Sequence, residues 1–140
     1  MQRRSYLVFT LALTTLIFLS APFSSVTAAP QHEFGLKQYE AFHDVLHPLQ
    51  HEALPNNDFK RIRADSRLLV TRGNAIVRLG IPRSTPKDQR KEFSAELRKF
   101  SNALAKFRRD ALRETDEQLK ASFDAAHDSF EMLASMVRVR

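Results

Sequence analysis

The chain has 140 residues and a formal net charge of +6, with 22 Lys and Arg against 16 Asp and Glu, five His, three Gly and no Cys. That length gives one domain. The missing cysteines exclude disulfides, thiolate metal sites and a Cys nucleophile, and so few glycines speak against a P-loop, a Rossmann fold or a hairpin-rich β protein.

In chain order, residues 1–28 read as a cleaved signal peptide. Arg3 and Arg4 supply a positive start, Tyr6 to Leu19 is an apolar stretch of 14 residues, and Val26-Thr27-Ala28 offers the small residues a signal peptidase reads. Cleavage after Ala28 is preferred because cleavage after Ala29 would put Pro30 beside the cut bond. The apolar stretch is shorter than the roughly 20 residues of a transmembrane helix, so no stable membrane insertion is expected after cleavage; an uncleaved anchor is the alternative. Arg3-Arg4-Ser5-Tyr6-Leu7 loosely matches a twin-arginine signal, although the strongly apolar stretch suits ordinary secretion better. The expected location is periplasmic or secreted.

Residues 29–140 keep all 16 acids and lose two of the 22 basic residues, for a net charge of +4. Acids and bases alternate along Lys87, Asp88, Arg90, Lys91, Glu92, Glu96, Arg98 and Lys99, the pattern of a solvated helix face. Nucleic-acid binding is not expected.

Four stretches carry apolar residues spaced three and four apart, and none alternates as a strand does. Tyr39, Phe42, Leu46, Leu49 and Ala53 mark the first. Phe59, Ile62, Leu69, Ile76 and Leu79 mark the second, with Gly73 between apolar turns. Phe93, Leu97, Phe100, Leu104, Phe107 and Ala111 form the cleanest stripe, and Leu119, Phe123, Ala126, Phe130, Leu133 and Val137 the last. Pro55-Asn56-Asn57-Asp58 separates the first two, and Gly80-Ile81-Pro82 ends the second. Thr85-Pro86-Lys87-Asp88 reads as a capping Thr with Pro at the first helical position, and Thr115-Asp116-Glu117-Gln118 as a capping box. The helices are expected at about 34–54, 58–80, 86–113 and 116–138. Their similar lengths and short connections predict an all-α, antiparallel up-down-up-down four-helix bundle over 29–140.

Histidines carry the only chemistry the pattern offers. His43, His47 and His51 lie four apart on the first helix and His127 lies on the fourth, while His32 precedes the bundle. Residues four apart share a helix face, so two such imidazoles can chelate one metal ion. With the apolar seam taken as heptad positions a and d, His43 and His127 both fall at e, on the rim of the core. Both lie roughly 16 Å from the same end of the bundle at 1.5 Å per residue. Glu131 and Glu40 are expected at a neighbouring level, and His47 and Asp124 one turn the other way. The expected site is therefore His43 and His127 as principal ligands, with His47, Glu131 or Asp124 completing the shell of a Zn, Cu, Ni or Fe ion. Pro48 biases His47 away from helical angles and should turn His51, which falls at a polar heptad position, aside. Storage, buffering, sensing or delivery of the metal would each fit.

Other chemistry finds less support. Glu40-Ala-Phe-His43 and Asp124-Ala-Ala-His127 have the Glu-x-x-His form of di-iron bundles, but Asp65 and Glu96, the available acids on the other helices, sit off the required level. Met132 and Met136 are gap-fillers rather than ligands. Gly73 either permits close helix approach or leaves room for a ligand. No Ser-His-Asp arrangement or catalytic acid pair is inferred, so hydrolase chemistry has no support and a non-enzymatic role is favoured over an enzymatic one. The competing reading is a structural or interaction module of the cell envelope with incidental histidines. Its oligomeric state is open, a homodimer being what an exposed apolar patch would build.

The tail Leu119-Lys-Ala-Ser-Phe-Asp-Ala-Ala-His127-Asp-Ser-Phe130, with the export signal and four helices of this length, resembles the cytochrome c′ family of periplasmic four-helix bundles. In that family the last helix carries Cys-x-x-Cys-His, and His127 aligns with the haem-ligating histidine. Phe123 and Ala126 stand where the two cysteines would be, so covalent haem is excluded. The resemblance implies at most a non-covalent b-type haem on His127, with His43 as a second ligand. Phe123 would occupy space that haem needs.

Overall fold

The computed structural model describes residues 34–137, so the signal-peptide reading lies outside the described residues. The fold is an all-α four-helix bundle. Helix α1 spans Lys37–Pro48 and runs into a π-helical turn, Leu49–Ala53; α2 spans Phe59–Leu79, α3 Arg90–Arg113 and α4 Asp116–Val137. No strand occurs among the described residues.

The helix ends follow local chemistry at three of the expected places. Asp58 caps α2 by accepting the Arg61 amide at 3.0 Å. Gly80, at φ +70°, closes α2 while its amide reaches the Ile76 carbonyl. At α4 the Gln118 amide bonds the Thr115 hydroxyl at 3.3 Å, and the Gln118 side chain accepts the Thr115 amide at 3.2 Å. This reciprocal box is what divides α3 from α4.

Two starts differ from expectation. Helix α1 begins at Lys37 rather than 34 because Gly35 takes φ +63°, a left-handed conformation outside any α-helix. Glu40 reaches back from the first turn to accept the Phe34 amide at 2.7 Å. Helix α3 begins at Arg90 rather than 86. Two successive tight turns, Thr85 amide to Pro82 carbonyl and Gln89 amide to Pro86 carbonyl, use the peptide groups that a first α turn would need. Thr85 is only 8 % exposed, and the cap position passes to Gln89, which makes no side-chain cap bond.

The core is largely aromatic. Phe42 lies edge-on to Phe100 with ring centroids 5.3 Å apart and tilts against Phe130 at 4.7 Å. Phe100 meets Phe130 at 6.3 Å and Phe107 meets Phe123 at 5.7 Å, so contacts climb α3 as they descend α4. Phe93, Phe100 and Phe107 are all fully buried, as their sevenfold spacing predicts. Each such ring stabilises the fold by about 1.5–3 kcal/mol relative to exposure.

Gly73 is a contact point and not a ligand space. A Cβ there would fall 2.5 Å from Leu104 Cδ1 and 3.1 Å from Phe42 Cε2, so α1, α2 and α3 converge on its bare backbone. At the other end of α2, Arg63 ties down the α3–α4 corner. Its guanidinium donates to the carbonyls of Asp110 (3.2 Å), Ala111 (3.0 Å) and Glu114 (2.8 Å) and to the Asp116 carboxylate (2.9 Å). The Ala111 carbonyl at the end of α3 and the Glu114 carbonyl just beyond it are satisfied in this way, while the Asp110 carbonyl also accepts the Glu114 amide.

Candidate functional site

Three imidazoles form a column along the first helix. The rings of His43 and His47 have centroids 5.4 Å apart, and those of His47 and His51 lie 4.4 Å apart. Pro48 explains the closer pair. It lacks the amide that an α-helix needs at that point, and the chain continues as a π turn in which the Leu54 amide bonds the Leu49 carbonyl at 2.9 Å. A π turn holds more residues than an α turn, so a residue four positions on stays on the same face. The expectation that Pro48 would turn His51 aside is therefore corrected: His51 is the nearest ring neighbour of His47.

The column passes from the core to solvent. His43 is half-buried, stacked over Phe130 at 6.3 Å and set edge-on to Phe34 at 5.5 Å, whereas His47 and His51 are exposed. Phe34, fully buried, is a neighbour that spacing could not show, because Gly35 bends it back over α1.

The other expected ligands are differently engaged. His127, half-buried on α4, has its Nδ1 3.1 Å from the Asp128 carboxylate, and no ring contact among the described residues joins it to the column. Asp124 pairs with Lys120 at 2.6 Å, Glu40 holds the Phe34 amide, and Glu131 is half-buried and has an interaction partner of its own. Glu96, considered for a di-iron site, pairs with Lys99 at 2.7 Å. Among the described residues no three His, Asp or Glu side chains are grouped so as to hold a metal ion. What the fold brings together is the pair His47–His51, with His43 one turn before it. Neutral imidazoles in such a pair suit borderline divalent metals.

Around the would-be haem ligand the helix is core. Phe123 and Ala126 are fully buried, and Phe123 packs on Phe107. Tyr39 is buried among Phe34 and Phe130. Its hydroxyl has no hydrogen-bond partner among the described residues, as is also true of Gln50 Oε1, and burial pushes its ionisation well above the ordinary tyrosine range. Asp110 behaves differently. Burial alone would raise its carboxyl, but Lys106, Ser122 and the charge of Arg109 outweigh burial and hold it below the usual aspartate value.

Comparison with family models, with curated proteins and with solved structures finds no match. The likeness to the cytochrome c′ bundles therefore rests on the residues quoted for it.

Proposed function

We propose that this chain is an exported, non-enzymatic helical bundle that binds a divalent transition-metal ion through the imidazoles of α1. The observation that carries the reading is the His47–His51 pair, exposed and with ring centroids 4.4 Å apart. Two imidazoles with water in the remaining positions make an exchangeable site, suited to buffering or delivery rather than to a permanent structural role. His43 is the next imidazole along. A second arrangement keeps the rim between α1 and α4 and uses His127, which Asp128 contacts at Nδ1 as outer carboxylates contact ligating histidines.

The two arrangements separate in one experiment. Zn, Cu and Ni are titrated calorimetrically into the unmodified protein, His47→Ala/His51→Ala and His127→Ala. The pair variant should lose binding and His127→Ala should keep it; the reverse would transfer the site to the α1/α4 rim. Affinity should weaken as pH falls, because protons compete with the metal ion for imidazole nitrogens. No uptake of any of the three metals would sink the reading and leave the interaction module in its place.

A further inference from the structure

A cleft of ≈ 380 Å³ opens between α2 and α3, on a face that the histidine column does not touch. A second hollow of ≈ 360 Å³ shares Val70, Asn74, Arg108 and Leu112 with it, so the two are one groove. Arg67 stands on the α2 wall, Arg108 and Arg109 on the α3 wall. No carboxylate lines the groove, and none of these three arginines is ion-paired among the described residues. Alternating charges along the sequence of α3 hid this, because the cationic rim exists only where α2 faces α3.

The floor is apolar. Val70, 6 % exposed, and Ala105 lie between the cationic walls, and Leu112 is 72 % exposed at one end. Asn74 and Ser101 add polar groups that bond to nothing else among the described residues. A guanidinium rim over an apolar floor recognises a molecule with an acidic head and an apolar tail. Size points to a single small molecule, since ligand clefts run from about 300 Å³ upward and a docked helix would need a longer apolar trough. A bilayer surface is flat and would not reach the recessed Val70.

We infer that the α2/α3 groove is a binding site for a free single-chain anionic amphiphile, a carboxylate or phosphate monoester on a short alkyl tail. The acidic head meets the guanidinium groups of Arg67 and Arg108, and the alkyl tail lies on the apolar side chains of Val70 and Leu112. This site and the metal site stand or fall separately.

The test is titration of decanoate and decyl phosphate, below their micelle concentrations, into the protein while backbone amide signals are followed by NMR. Saturable shifts confined to α2 and α3 are expected. Arg67→Ala/Arg108→Ala should weaken binding about tenfold or more, the loss of a charge-assisted hydrogen bond, and Leu112→Asp should weaken it by removing the tail contact. Each variant is first matched to the parent by thermal melting, since all three side chains are exposed. Decanol binding as tightly as decanoate would overturn the inference, as would acetate or inorganic phosphate doing so. Binding of phosphatidylglycerol vesicles with no response to free decanoate would overturn it in favour of a membrane surface.

Discussion

Replacing Gly73 by Ala sets two effects of known sign against each other. The substitution favours the helix by about 1 kcal/mol, because glycine loses more backbone freedom on folding. Against this, the new Cβ would sit 2.5 Å from Leu104 Cδ1, 2.9 Å from Leu104 Cδ2 and 3.1 Å from Phe42 Cε2. Leu104 has a movable end, but it is 1 % exposed and fully surrounded, so moving it displaces the core. Overpacking of this kind costs about 1–3 kcal/mol. Gly73→Ala should therefore be destabilising by up to about 2 kcal/mol, which for a domain of this size lowers Tm by several degrees. Leu104→Ala alone should cost about 2–5 kcal/mol. In that background the contact with Leu104 is gone and only the 3.1 Å approach to Phe42 Cε2 opposes the helix term, so Gly73→Ala becomes stabilising by up to about 1 kcal/mol. Urea unfolding followed by far-UV circular dichroism on all four proteins gives the coupling directly. If Gly73→Ala stabilises the parent as much as it stabilises Leu104→Ala, the helices do not converge at Gly73. Space for a ligand there would then return to consideration.

Further outcomes follow from the polar groups of Tyr39, Asp110 and Arg63. Tyr39→Phe removes a buried hydroxyl that has no partner among the described residues, so it should leave stability unchanged or raise it by about 1 kcal/mol; a loss of more than that would reveal a hidden hydrogen bond. The raised Tyr39 ionisation contributes stability that is intact below about pH 10 and is lost as pH rises above it. Alkaline unfolding should thus be shifted to higher pH in Tyr39→Phe, and coincident transitions in the two proteins would refute the burial. Asp110 has the opposite sign. Its lowered carboxyl contributes stability above about pH 4 that is lost as pH falls through its folded value, so Asp110→Asn should flatten stability against pH in that acid window; parallel curves would refute it. Arg63→Ala leaves the Ala111 and Glu114 carbonyls at the α3–α4 corner without their donor and should cost about 1–3 kcal/mol in urea unfolding. Arg63→Lys should recover little, because an ammonium cannot reproduce the planar fork; full recovery would mean that charge alone matters.

Local chemistry in the sequence determined most of the helices. Asp58, Gly80 and the Thr115–Gln118 box act within a few residues of themselves, and the seven-residue repeat of Phe93, Phe100 and Phe107 requires only that α3 has an inside. Where local signals competed, tertiary structure decided. Thr85 is as good a cap as Thr115, yet it is buried and the cap position falls to Gln89. Pro48 is a helix breaker by sequence, yet the helix widens into a π turn around it, with Leu49 and Ala53 buried on its inner face.

The histidine spacing was legible because i, i+4 neighbours need only one helix. The companions expected from α4 were not, because heptad letters place a side chain on a face but do not say which neighbour it engages. Asp124 went to Lys120 on its own helix and His127 to Asp128 beside it. Arg63 and the α2/α3 groove left no mark in the sequence at all, since their parts lie between 27 residues (Asn74 to Ser101) and 53 residues (Arg63 to Asp116) apart. Periodicity reports what one helix buries; the pairing of faces from different helices depends on how their side chains interlock, and only the folded bundle specifies that.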